Sequence, residues 1–78
     1  MYTYSLNYRR STEENPYGRE KIIEISTPWL PRVGEIVEWQ PWDAATGNYR
    51  IERFRVEEVE TWFQDETRYG INLFVSKL

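Results

Sequence analysis

The sequence predicts an all-β domain in which five strands, one of them long and bent, form a small, partly open barrel. Apolar and polar residues alternate along most of the chain, and this period of two is typical of strands with one buried face. Glycine, proline, asparagine and aspartate separate the alternating segments, and no segment favours a long helix. Seventy-eight residues suffice for one hydrophobic core, so we expect a single domain over residues 1–78.

The first two strands are predicted to form a hairpin. Strict alternation over residues 2–9 places on one face Tyr2, Tyr4, Leu6 and Tyr8. In residues 20–27 the same pattern places Ile23 and Ile25 on one face and Ile22 on the other, and Pro28 ends the strand. Residues 11–18 have the composition of a loop, although Ser11 and Glu14 match a capping box that permits one short helical turn.

The third strand is predicted over residues 32–39. Pro28 and Pro31 make the segment before it a stiff, extended connector, because each proline fixes its own backbone and restricts the preceding residue. Residues 40–48 then have the composition of a hairpin loop, in which Gly47 or Asn48 can take a positive φ.

The fourth strand begins at Tyr49 and is predicted to be bent. Its apolar positions change face between Arg53 and Phe54, which indicates a β-bulge. A turn at residues 64–66 leads to the fifth strand, which alternates cleanly from residue 69 to residue 75. One-face alternation then predicts a core made of Tyr4, Leu6, Tyr8, Trp39, Ile51, Val56, Ile71 and Leu73.

Residues 30–59 resemble a pattern found in short, uncharacterised bacterial and phage proteins. A Pro-x-x-Gly-Glu turn at Pro31, Gly34 and Glu35 opens a strand, and a second strand follows over residues 49–54. The resemblance implies an SH3-like barrel and brings no catalytic residue with it. Gly34 permits a tight turn, and the Glu35 carboxylate can accept hydrogen bonds from backbone amides. The Ala-Leu-Tyr-Asp-Tyr signature of polyproline-binding SH3 domains is absent, so that ligand class is not implied.

Composition argues against an enzyme. The chain has no cysteine and no histidine, which removes the thiolate nucleophile, the usual general base and the commonest zinc ligands. Paired carboxylates such as Asp65 with Glu66 leave little chain from which to build a substrate cleft. We therefore expect no catalytic residue, no metal and no cofactor. The chain lacks both a long apolar run and the residue order of a signal peptide, so we expect a cytoplasmic protein without membrane contact.

The leading functional hypothesis is a noncatalytic protein-binding module. Exposed aromatic side chains in loops often contact a partner, and an acidic group can steer a basic one. The residues assigned to the partner-binding surface are Trp29, Trp42, Trp62, Glu57, Glu58, Asp65 and Glu66. A narrower version is a phage or prophage accessory protein that inhibits a host nucleic-acid-handling complex, because the chain is similar in size and acidity to phage anti-defence proteins such as anti-CRISPRs.

Two other functions remain open. In a nucleic-acid-binding barrel, Arg50, Arg53 and Arg55 would stack with aromatic rings, although a net charge of −3 opposes phosphate binding. In a homo-oligomeric structural subunit, Trp42 or Trp62 would be buried between copies.

Each candidate residue also has a structural interpretation. Trp29 and Trp42 can fold back over the ends of the barrel, and the acidic residues can form a solvated face. The three arginines can pair with Glu38, Glu52 or Glu57 across strands. Because neighbouring side chains on a strand point in opposite directions, either Trp62 or Phe63 is expected outside the core.

Overall fold

A computed structural model describes residues 1–78, which contain seven strands and no helix. No helix long and apolar enough to cross a membrane is therefore found. The strands are β1 (Tyr2–Arg9), β2 (Arg19–Thr27), β3 (Ile36–Trp39), β4 (Trp42–Asp43), β5 (Asn48–Tyr49), β6 (Glu52–Asp65) and β7 (Arg68–Lys77).

Five of these strands form one curled sheet with the order β2-β1-β7-β6-β3, which makes a half-barrel. The neighbouring strands are antiparallel except β1 and β7, whose parallel bridge joins only Ser5–Asn7 to Asn72–Phe74. Strands β4 and β5 form a separate two-stranded ribbon. The ribbon lies in the segment predicted as a hairpin loop, except for Tyr49, which was predicted to begin the fourth strand. The all-β prediction and the opening β1–β2 hairpin are confirmed.

The two faces of the sheet differ, and we call them the core face and the outer face. The core face buries Tyr4, Leu6, Phe54, Val56, Leu73 and Val75. Around these residues pack Tyr8, Ile22, Ile23, Leu30, Val37, Trp39, Val59 and Ile71. The prediction that Ile51 belongs to the core is wrong, because its side chain is 66% exposed. It lies between β5 and β6, outside any strand, so the alternation of β6 does not govern it.

The bulge in the long strand lies after Val56 rather than at Arg53, as its register with β7 shows. Val56 pairs with Val75 and Glu58 with Phe74, which leaves Glu57 as the extra residue. The apparent change of face at Arg53 arises because Tyr49 and β6 belong to different strands. The prediction that Ile22 points away from the core is also wrong, because β2 has a bulge there: Leu6 pairs with Ile23 and Asn7 with Lys21.

The turn before β3 forms as the Pro-x-x-Gly-Glu pattern predicts. Gly34 has a φ of 89°, and the Arg32 backbone N–H donates to Glu35 Oε1 at 2.7 Å. Because residues 32–35 form this turn, β3 begins only at Ile36. The other predicted positive φ occurs at Gly47. The optional helical turn at Ser11 does not form; instead the Asn15 N–H donates to Thr12 Oγ1.

Candidate functional site

The hairpin of β6 and β7 continues past its pairing with β3 and β1 as a two-stranded ribbon, which we call the aromatic arm (residues 60–71). Strand β3 pairs with β6 only at Glu52 to Arg55, and β1 bridges β7 only from Asn72 onwards. Both outer edges of the arm are consequently open. A two-stranded ribbon is marginally stable alone, so its shape depends on its turn and its cross-strand side-chain pairs.

Three large aromatic side chains lie on this arm. Phe63 pairs with Tyr69 across the strands, and these side chains are 79% and 68% exposed. Trp62 pairs with Gly70 and is 42% exposed, on the outer face. Both Trp62 and Phe63 are thus partly in solvent, one on each face of the ribbon, as alternation predicts.

The Trp62 indole packs directly against Gly70. A Cβ atom placed at Gly70 would lie 2.7 Å from Trp62 Nε1 and 2.9 Å from Trp62 Cε2. These distances are shorter than van der Waals contact, so any side chain at this position would displace the indole. The absence of a side chain at Gly70 therefore allows the Trp62 ring to pack against the ribbon.

Asp65 fixes the turn at the tip of the arm. Its Oδ1 atom accepts hydrogen bonds from Thr67 N and Thr67 Oγ1, both at 2.8 Å, and from Arg68 N at 3.0 Å. The bond from the Thr67 backbone is the main cause that lowers the pKa of the Asp65 carboxyl below its ordinary value. The turn residues are Glu66 and Thr67, slightly later than the predicted 64–66. Asp65, assigned from sequence to a binding surface, has a structural role here.

The predicted acidic group divides into two parts. Glu58 and Asp65 are seven positions apart on β6, which corresponds to about 20 Å along a strand. Near the bulge, Glu57 accepts a hydrogen bond from Ser76 Oγ, and Glu58 pairs with Arg9 Nη2 at 2.6 Å. Only Asp65 and Glu66 lie at the tip, so the structure does not bring all four predicted acidic residues together.

A cleft of about 470 Å³ lies between the beginnings of β1 and β7. Trp62 and Tyr69 line one side of it, and the β2 residues Arg19, Lys21 and Glu24 also line it. It exists because the parallel bridge stops at Ser5 and Asn72, leaving residues 1–4 without a β7 partner.

A buried polar network lies beside this cleft on the outer face. Asn7 Nδ2 donates to Ser5 Oγ at 2.9 Å, and to the Ser5 and Leu73 carbonyl oxygens at 3.2 Å each. Ser5 Oγ in turn donates to Asn72 Oδ1 at 2.9 Å. Asn7 is fully buried, and its Oδ1 atom has no hydrogen-bond partner. Alternation places Ser5 and Asn7 on the face of β1 opposite Tyr4 and Leu6, which is in solvent when a strand has one buried face, and sequence reasoning therefore missed this network.

Trp29 and Trp42 lie apart from the arm in the chain and are both exposed. Trp29 lines a second cleft, of about 550 Å³, together with Tyr2, Leu30 and Val33. Trp42 packs edge-on against Tyr49 in the β4–β5 ribbon, with ring centroids 5.1 Å apart. Neither indole is part of the hydrophobic core cluster.

The predicted arginine group is largely engaged in ion pairs. Arg50 lies 3.6 Å from Glu52, and Arg53 lies 3.8 Å from Glu38. Arg55 is exposed on the outer face of β6. Arginine–aromatic stacking occurs elsewhere, with Arg9 3.8 Å from the Phe74 ring centre and Arg10 4.9 Å from that of Tyr8. The predicted trio therefore does not form the arginine–aromatic platform expected of a single-strand binder.

Comparison of the chain with protein-family models, curated proteins and solved structures finds no match. An inference about function therefore depends on the geometry of the arm and the clefts. The arm carries exposed aromatic rings, and the Asp65 carboxylate holds its turn.

Proposed function

We propose that the protein is a noncatalytic protein-binding module whose contact surface is the aromatic arm. The observation that carries this proposal is the cross-strand pair of Phe63 and Tyr69, two large rings exposed side by side on one face of the ribbon. Aromatic side chains contribute strongly to protein interfaces, because they bury a large area with few rotatable bonds.

The arm is also ordered before it meets a partner. Three hydrogen bonds to Asp65 fix the turn, and the Trp62 ring packs against Gly70. A surface that is already in its bound shape loses less conformational entropy on association. The fixed conformation of the arm therefore supports a binding role.

Three carboxylates with structural partners support a noncatalytic role. Asp65 caps a turn, Glu58 pairs with Arg9, and Glu52 pairs with Lys77 at 3.0 Å. The hydrogen bonds of the turn lower the pKa of the Asp65 carboxyl, which suits a carboxylate that stays charged in order to hold the turn.

The narrower proposal is a cytoplasmic phage or prophage accessory protein that inhibits a host nucleic-acid-handling complex. The net charge of −3 and the Asp65–Glu66 tip support it, since such complexes have basic surfaces that bind phosphates. The SH3-like barrel is part of the same proposal, supported by the curled half-barrel and by the turn at Gly34 and Glu35.

An affinity capture from lysate of the source organism tests the proposal. Three baits are compared, with and without nuclease: the unaltered protein, the double variant Phe63→Ala/Tyr69→Ala, and Tyr17→Ala. Tyr17 is a matched control because it is 85% exposed and lies in the loop after β1.

We expect a nuclease-resistant protein partner that the unaltered protein and Tyr17→Ala retain and the double variant loses. With the purified partner, the double variant should bind at least about 30-fold more weakly, with thermal unfolding retained. Retention of the partner by the double variant, or its loss after nuclease treatment, contradicts the proposal.

A further inference from the structure

The outer edge of β2 is open over nine residues. Strand β2 is the last strand of the sheet, and β1 is its one neighbour. An open edge presents unpaired backbone N–H and C=O groups that can pair with another strand. This edge contains no proline and has three isoleucines, at Ile22, Ile23 and Ile25.

The bulge in β2 gives this edge a symmetrical pattern of faces. Lys21 and Glu24 pair with Asn7 and Ser5, two alternate residues of β1, and so share the outer face. Their ion pair, at 3.6 Å, agrees with this placement, since residues three apart on a regular strand point in opposite directions. Ile22 and Ile23 both pack on the core face. The two sides of the Ile22–Ile23 bond therefore match: on each side an isoleucine on the core face is followed by a charged residue, Lys21 or Glu24, on the outer face.

We propose that β2 pairs antiparallel with β2 of a second copy of this chain, about a two-fold axis at the Ile22–Ile23 bond. Directly opposite residues in an antiparallel pair lie on the same face of the sheet. This axis satisfies that rule at each position, because Ile22 then faces Ile23 of the other copy and Lys21 faces Glu24.

Charge complementarity favours a second copy over an unrelated strand. Across the axis, two Lys21 and two Glu24 side chains alternate in sign on the outer face, and four isoleucines meet on the core face. Each chain's own Lys21–Glu24 pair is retained within this group. A symmetric dimer requires one patch to be complementary to itself, and this edge has that property.

The dimer joins two half-barrels into one continuous sheet through an edge that the aromatic arm does not use. The inference therefore stands apart from the proposed function. A nine-residue edge buries an area at the low end for specific interfaces, about 1,200 Å² or less, so we expect a micromolar Kd.

Mass measurement by light scattering and sedimentation tests the dimer with purified protein alone. The unaltered protein should approach twice 9.5 kDa at about 100 μM. Lys21→Glu and Glu24→Lys should each weaken the dimer at least about tenfold, because each places like charges opposite one another across the axis. Glu13→Lys, which reverses an exposed charge in the loop after β1, should dimerise like the unaltered protein.

Mixing the two single variants provides the decisive experiment. Lys21→Glu carries two acids at these positions and Glu24→Lys carries two lysines, so an equimolar mixture should form a heterodimer. The double variant Lys21→Glu/Glu24→Lys should dimerise with itself again. Both side chains are exposed, and thermal unfolding confirms that each variant is folded. A monomer at every concentration, a dimer that both single variants retain, or a mixture without heterodimer overturns the proposal.

Discussion

Replacing Asn7 by aspartate tests the buried polar network with almost no change in side-chain volume. The Asn7 amide donates to two carbonyl oxygens and one hydroxyl, and the residue is fully buried. An aspartate carboxylate has no proton to donate, so its oxygen would face the Ser5 and Leu73 carbonyls with the same sign of charge. Burial among acceptors raises the pKa of the new carboxyl.

The expected cost is large for a domain of this size. An unpaired charge in a buried polar site costs about 3–5 kcal/mol. Folded domains have stabilities of about 0.05–0.15 kcal/mol per residue, or roughly 4–12 kcal/mol for a chain of this length. The substitution should therefore remove about a quarter or more of the free energy of unfolding at neutral pH.

The loss should depend on pH in a definite direction. Because the carboxyl has a higher pKa in the folded protein than in the unfolded chain, the loss is smallest below the unfolded pKa. It grows as the pH rises towards the folded pKa, and is then constant. Lys21 lies opposite Asn7 in the register, so a second measurement with Lys21→Met removes one cation that could compensate the charge.

Urea unfolding from pH 3 to pH 8, roughly the range over which a raised carboxyl pKa titrates, measures this effect. Asn48→Asp is the matched control, because it makes the same chemical change at an exposed position, the first residue of β5, where Asn48 Oδ1 already acts as an acceptor. Equal stability of the Asn7 and Asn48 variants at neutral pH, or a loss that does not vary with pH, would refute the argument.

Three further predictions follow from the packing and the turn. Phe54→Ala should lower the free energy of unfolding by about 3–5 kcal/mol, because Phe54 is buried in the core; chemical denaturation measures this, with exposed Phe63→Ala as the control. Gly70→Ala should displace the Trp62 indole and change tryptophan fluorescence, whereas the same change in a Trp62→Phe background should leave the fluorescence of the other three tryptophans unaltered. Asp65→Ala should loosen the arm's tip, seen as faster amide exchange at Thr67 and Arg68. Folding lowers the pKa of Asp65, so its stabilising effect is present above the unfolded pKa and disappears as the pH falls through the folded pKa. In acid, amide exchange at Thr67 and Arg68 in the unaltered protein should therefore approach the exchange seen in Asp65→Ala.

Patterns among residues close in sequence correctly predicted several strands and one turn of the fold. Alternation located β1 and most of β7, and the turn at Gly34 followed from the conformational freedom of glycine and from a nearby carboxylate acceptor. The error at Ile51 has a physical cause. Residues 50 and 51 lie between β5 and β6 and belong to no strand, so the alternation of a strand does not apply to them.

The candidate site was harder to predict than the strands. Opposite directions for Trp62 and Phe63 followed from sequence, but alternation over residues 69–75 does not indicate that Tyr69 is exposed beside Phe63. Nothing local indicates that β7 extends past the end of its pairing with β1. The network of Ser5 and Asn72 joins residues 67 positions apart, which no periodicity can show.

The parallel bridge between β1 and β7 also has a consequence for the order of folding. Its two strands come from opposite ends of the 78 residues, whereas the β1–β2 and β6–β7 hairpins are local and can form early. Closing so long a loop has a high entropic cost, so the bridge should form late and should set the folding rate. Until it forms, each hairpin exposes its own core side chains, and this interval is when the chain is most prone to aggregate.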